Sequence, residues 1–271
     1  MTQIPGPLVN ADWLAEHLDA PDLRVLEATV YLTHRDGGYD VRSGREDWAA
    51  GHIPGSAFAD LIDDLSEPHD SLNFTFPPPG RFAAAMSALG VGDDTAVVIY
   101  DRNGTMWATR LWWLLHTYGF DNAAVLDGGL AAWTGELTDA PAPTHAADFT
   151  PCPQPRRIAG RAEIENGPAC LINALAPAAF EAARIPGSAS LPSRDLLDPH
   201  SGRFRSPEEL RERLGAVGAL GGGRVVTYCG GGISATLDAF ALTLLGEPDV
   251  AVYDGSMREW TSDPALPIER G

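Results

Sequence analysis

The two halves of this chain repeat one another, and a duplicated pattern sets domain organisation before any element is assigned. VVIYDRNGTMWATRLWWLLHTYGFDNAAVLDGGLAAW in the first half aligns with VVTYCGGGISATLDAFALTLLGEPDVAVYDGSMREW in the second. In that register Asp101 meets Cys229 and Trp133 meets Trp260. Earlier in each half, GHIPGSA (Gly51 to Ala57) matches ARIPGSA (Ala183 to Ala189). Matched blocks in one order predict two domains of the same fold. Between them TDAPAPTHAADFTPCPQP has neither helical nor strand periodicity and reads as an interdomain linker. The expected divisions are a first domain over 1–137, a linker over 138–155 and a second domain over 156–271.

Each half alternates strands with helices. Val97 to Tyr100 and Val225 to Tyr228 are short β-branched runs, suited to buried parallel strands. After the first, Trp107, Leu111, Leu114, Leu115 and Tyr118 fall at helical spacing, with Gly119 as a stop. After the second, Ile233, Leu237, Phe240, Ala241, Leu244 and Leu245 do the same, and Gly246 ends the run. Further strands follow at Ala123 to Leu126 and Val250 to Tyr253. The fold class is therefore α/β, two tandem domains, each a parallel sheet flanked by helices.

A formal net charge of -18 sets the chain against nucleic acid and anionic membranes, and no stretch approaches the roughly 18 apolar residues of a membrane span. The start, MTQIPGPLVNADW, lacks a basic segment followed by an apolar run, so a cytoplasmic location is expected. The three cysteines, Cys152, Cys170 and Cys229, cannot all pair, and their spacing fits neither a disulfide framework nor a zinc site.

Cys229 carries the chemistry. Ligands of open α/β sheets gather at the carboxyl ends of strands, where a helix begins and unpaired N–H groups point outward. There Cys229 is followed by Gly230, Gly231, Gly232, Ile233 and Ser234. Three glycines let the backbone curl with positive φ and aim successive N–H groups inward, a cradle for an anion that favours thiolate over thiol. Cys170, beside Leu171 and Ile172 in a core strand, reads as packing, and Cys152 as an exposed linker thiol. Asp127-Gly128-Gly129 reads as a turn, not a phosphate loop.

With the cysteine turn, GHIPGSAF and VAVYDGSMREW together, the chain resembles the tandem rhodanese and mercaptopyruvate sulfurtransferases from about Leu8 to Trp260. In that family the first domain has lost its cysteine and the second keeps it, as Asp101 and Cys229 do here. The resemblance implies a double displacement. The Cys229 thiolate takes a sulfane sulfur from 3-mercaptopyruvate or thiosulfate, and the resulting persulfide passes it to cyanide, a small thiol or a thioredoxin-type protein. No metal or organic cofactor is implied. Gly230, Gly231, Gly232, Ile233 and Ser234 would hold the charge, and Asp101 would sit in a structural domain. The resemblance also places the His52 block near the domain interface, which brings His52 into the expected substrate-binding set. Asp254, Glu259 and Trp260 would brace the second domain.

The chain departs from the family in several places. The early Asp-x-Arg of the second domain reads Asn173-Ala174-Leu175, Met257 replaces an aromatic residue, and Arg184 stands where the second block has histidine. Arg184 is therefore the expected partner for a donor carboxylate, which in an uncharged glycine loop favours 3-mercaptopyruvate over dianionic thiosulfate. Two other readings compete. A cysteine phosphatase requires arginine directly after the five-residue loop, where Ala235 stands. A noncatalytic rhodanese-like module would leave the thiol unloaded by a sulfane donor.

Overall fold

A strand with every residue buried is covered on both faces, and each half supplies two such strands side by side. In the computed structural model, which describes all residues except 1, 36–37, 70–71, 73 and 144–146, they form the centres of two separate parallel sheets.

The first unit takes in Met1–Glu67 and Phe76–Pro153. Its strands are β1 (Leu8–Val9), β2 (Leu23–Glu27), β3 (Val30–Arg35), β4 (Gly38–Ser43), β5 (Ala57–Phe58), β6 (Ala96–Tyr100) and β7 (Ala123–Leu126). Five lie parallel in the order β1-β7-β6-β2-β5. An antiparallel ribbon of β3 and β4 stands apart, an element that the strand-helix alternation does not foresee. The unit's helices are α1 (Ala11–His17), α2 (Arg45–Ala50), α3 (Pro79–Ala88) and α4 (Met106–Thr117).

The second unit takes in Gln154–Gly271 together with Pro68–Thr75. Its strands β8 (Ile158–Ala159), β9 (Cys170–Asn173), β10 (Ala189–Ser190), β11 (Val225–Tyr228) and β12 (Val250–Tyr253) are parallel in the order β10-β9-β11-β12-β8. Read from the other edge, that is the order of the first sheet, so the repeat in sequence is a repeat in topology. Helices α5 (Arg161–Glu165), α6 (Pro177–Ala182), α7 (Pro207–Ala216), α8 (Ser234–Leu244) and α9 (Ser256–Ser262) complete it. Among the described residues no helix is long and apolar enough to cross a membrane.

Helices α4 and α8 pack on the two central strands of their sheets. In α4, Trp107, Leu111, Trp113, Leu114 and Leu115 are fully buried, each contributing about 1.5–3 kcal/mol on leaving water. Both helices stop at the expected glycines, Gly119 with φ of 80° and Gly246 with φ of 82°. Ser206 and Glu209 close a reciprocal cap on α7, with Pro207 at its first position.

The stretch expected as a linker is not free. Asp93 N–H donates to the Asp148 carbonyl at 3.1 Å, and Cys152 N–H to the Tyr118 carbonyl at 2.8 Å. Phe149 is buried against Phe82 and Phe120. The division between units falls after Pro153, with residues 144–146 outside the described set. An irregular segment held by main-chain hydrogen bonds and one aromatic anchor has no periodicity, so its sequence shows no trace of its attachment.

Candidate active site

Each strand that leads to the site turn ends on a buried tyrosine, and in both units that tyrosine is seated by the Ile-Pro-Gly-Ser block. Ile53 N–H donates to the Tyr100 hydroxyl at 3.3 Å, and Ser56 Oγ lies 3.0 Å from it. In the second unit Ile185 N–H donates to the Tyr228 hydroxyl at 3.1 Å, and Ser188 Oγ lies at 2.7 Å. The two repeated blocks are thus bonded to each other. Burial pushes both phenols above their ordinary value, so they stay protonated.

The same corner holds His52 and Arg184, both expected at the substrate site. His52 is fully buried, stacks on Trp48, and places its ring nitrogens 2.8 Å from the Trp48 carbonyl and 3.0 Å from that of Ala140. Its backbone pairs with Thr138 in both directions at 2.9 Å. Arg184 pairs with Glu269 in the same way, at 3.0 and 3.1 Å. Its guanidinium lies over Phe180, reaches the Glu269 carboxylate at 3.2 Å and donates to the Gly271 carbonyl at 2.8 Å. Both ring nitrogens of His52, and Nε and Nη1 of Arg184, are thus engaged within their own units.

Cys229 follows β11 and is 2% exposed. Its N–H donates to Ser256 Oγ at 3.1 Å, and its carbonyl accepts from Met257 N–H at 3.0 Å. Arg258 N–H donates to the Gly230 carbonyl at 3.0 Å. The turn from β12 into α9 therefore grips the backbone of Cys229 at two points and that of Gly230 at a third. Arg258 is half-buried, and its guanidinium has no partner among the described residues.

Of the three loop glycines, only Gly232 uses the left-handed region, with φ of 79°, and a Cβ there would meet the Asp254 carbonyl and carboxylate oxygens at 2.7 Å. Gly230 and Gly231 have no positive φ and open space where a Cβ would stand. The curl rests on one glycine, and the other two leave room. Ile233 caps α8, and Ser234, half-buried, is its first residue.

The first unit shows what such a loop holds. One Asp101 oxygen accepts from the N–H groups of Asn103 at 2.8 Å and Thr105 at 3.0 Å, the other from Trp107 at 3.0 Å and Ala108 at 2.9 Å. Burial pushes the Asp101 carboxyl above its ordinary value, against four amides that favour the ionised form. In the repeat register these donors correspond to Gly231, Ile233, Ala235 and Thr236. Among the described residues the N–H groups of Gly231, Ile233 and Ala235 have no protein acceptor, while that of Thr236 donates to the Ile233 carbonyl at 2.9 Å. The loop backbones differ at the helix cap, where Thr105 has φ of 68° and Ile233 φ of −88°.

The other thiols stand apart. Cys170 lies on β9, its Sγ 3.6 Å from the Val217 carbonyl, and burial pushes its thiol up. Cys152 is exposed. Two buried residues escaped the sequence reading. Ser256 is one. The other is Asp238 on α8, fully buried with neither carboxyl oxygen hydrogen-bonded, its carboxyl pushed well above the ordinary range by burial and then by the charges of Cys229 and Asp195. A charged residue inside an apolar helical stripe, and a serine where the repeat has Gly129, were the signals available.

A family model described as the rhodanese-like domain matches the chain twice, at residues 10–136 and 160–263. The 3-mercaptopyruvate sulfurtransferase of Escherichia coli (strain K12) is 30% identical over 96% of this chain and 97% of its own length. A probable 3-mercaptopyruvate sulfurtransferase of Pseudomonas aeruginosa is 36% identical, over 97% and 98%. The crystal structure of the E. coli protein SseA, a 3-mercaptopyruvate sulfurtransferase by its description, superposes with a TM-score of 0.83, covering 93% of this chain and 98% of that one.

Proposed function

Since the chain belongs to the rhodanese-like family and carries two copies of its domain, we propose that it is a sulfurtransferase that loads sulfur from 3-mercaptopyruvate onto Cys229 and passes it to a thiophilic acceptor. The observation that carries the reading is the Asp101 turn. A carboxylate oxygen and the outer sulfur of a cysteine persulfide both lie three bonds from Cα. Asp101 therefore puts negative charge where a persulfide on Cys229 would put it, and four amides receive that charge.

In the first step the Cys229 thiolate attacks the donor's sulfur, an S–S bond forms and the C–S bond breaks. Its electrons leave on carbon as the enolate of pyruvate, and the donor's thiol proton ends on that carbon. In the second step cyanide, a small thiol or a thioredoxin-type thiol attacks the outer sulfur, and Cys229 leaves as thiolate. The amides of Gly231, Ile233 and Ala235 stabilise the persulfide anion between the steps. The uncharged loop suits a monoanionic donor better than thiosulfate. In place of Arg184, Arg258 is the cation proposed for the donor carboxylate, because its backbone adjoins Gly230 and its guanidinium has no partner among the described residues.

The test is intact mass after incubation with each donor, followed by kcat/KM with a common acceptor. Gain of one sulfur atom, lost in Cys229→Ser and kept in Cys152→Ser and Cys170→Ser, is expected. An unchanged native mass would make the chain a noncatalytic module, and a thiosulfate preference would reject the donor. Arg258→Ala should raise KM for 3-mercaptopyruvate about tenfold with little change in kcat.

A further inference from the structure

Ser256 stands in a backbone conformation that its own repeat gives to glycine. The corresponding residue of the first unit is Gly129, with φ of 58°, and Ser256 has φ of 51°. That region is unfavourable for a residue with a Cβ, and serine is not among the side chains that enter it readily. Ser256 is also fully buried, so water does not solvate its hydroxyl. Among the described residues its hydroxyl makes two contacts: it accepts from Cys229 N–H at 3.1 Å and donates to the Tyr253 carbonyl at 2.8 Å.

One bond of the turn is common to both units. Leu130 N–H donates to the Asp101 carbonyl at 2.9 Å, as Met257 N–H does to that of Cys229 at 3.0 Å. The second unit adds two bonds, Arg258 N–H to the Gly230 carbonyl and the serine bond to the Cys229 N–H, and only the second of them needs a side chain.

From this contrast we infer that Ser256 is a positioning residue for Cys229, its hydroxyl fixing the nucleophile's N–H so that the side chain leaves Cα toward the amides of Gly231, Ile233 and Ala235. The inference rests on the proposed function for the role of Cys229 as sulfur carrier. Mechanically it is a clamp on both sides of one Cα. Met257 holds the peptide that follows Cys229, and Ser256, anchored on Tyr253, holds the peptide that precedes it. Together they restrict φ and ψ and hence the direction of Cα–Cβ. A nearly enclosed sulfur meets its donors only along a narrow range of directions, so this restriction is worth a strained backbone.

Two variants separate the hydroxyl from the strain. Ser256→Gly removes both, whereas Ser256→Ala removes the hydroxyl and keeps the Cβ in the left-handed region. Ser256→Gly should melt at or above the native temperature and Ser256→Ala below it. In both, alkylation of Cys229 by iodoacetamide, followed by mass spectrometry of its peptide, should slow about tenfold at neutral pH, with its pH profile displaced to more alkaline values. Turnover should fall through kcat with donor KM nearly unchanged. Native alkylation and turnover in Ser256→Gly would overturn the inference, and that variant decides alone if Ser256→Ala does not fold. A native protein that accepts no sulfur would overturn the proposed function and leave the alkylation comparison standing.

Discussion

Arg184 holds Glu269 twice, main chain to main chain at 3.0 and 3.1 Å and guanidinium to carboxylate at 3.2 Å. The carboxylate is half exposed, so solvent screens the ion pair, and only the outer of these two layers is lost on truncation. Arg184→Ala should cost about 0.5–1 kcal/mol of stability, including its stacking on Phe180, and leave donor KM unchanged. Chemical denaturation beside steady-state kinetics checks both halves. A raised KM at native stability would return Arg184 to the substrate site.

Asp101→Asn should destabilise the first unit although it changes only one atom. An amide can accept from two of the four N–H groups but turns its own NH2 on the other two, leaving buried donors facing a donor. The expected loss is about 2–4 kcal/mol. Thermal unfolding followed by calorimetry reads it, and stability equal to native would show that the carboxylate charge is not what the amides hold.

Gly232→Ala and Gly231→Ala should behave differently despite being neighbours. The first forces a Cβ into the left-handed region and against Asp254, for about 1–3 kcal/mol, and shifts the loop amides with it. The second meets open space and should leave stability within about 0.5 kcal/mol of native. Equal denaturation midpoints for the two would contradict the loop geometry described here.

Asp238 predicts a pH dependence with a definite sign. Its carboxyl titrates higher in the folded than in the unfolded chain, so at a pH between the two values folding takes up a proton. Below about pH 4 the group is protonated in both states and the cost vanishes. Above that the cost grows by about 1.4 kcal/mol per pH unit until the folded value is reached, then levels off. Asp238→Asn removes the term. It should be more stable than native at neutral pH, with the gap closing as pH falls toward about 4. A gap independent of pH, measured by urea denaturation, would show that Asp238 is ionised in the fold.

The central strands were legible to the residue because Val225–Tyr228 and Val250–Tyr253 are β-branched and aromatic runs bounded by turn residues. The place of Cys229 at the end of β11, ahead of a glycine-rich turn into α8, was legible from the glycines that follow it. Ser256 was not, since its significance lies in a φ value and in a bond between two turns brought together by the pairing of β11 with β12. The contacts of His52 and Arg184 were not legible either, because the block that reads as chemistry beside a reactive turn also seats Tyr100 and Tyr228, and those bonds join segments far apart in sequence.

The Asp101 turn also sets a stoichiometry. Its anion is tethered by its own chain, and the first unit has no thiol at that turn to load, oxidise or block. On the proposed mechanism, a donor labelled in its transferable sulfur would therefore count competent chains directly, one equivalent for each, with no correction for the duplicated half.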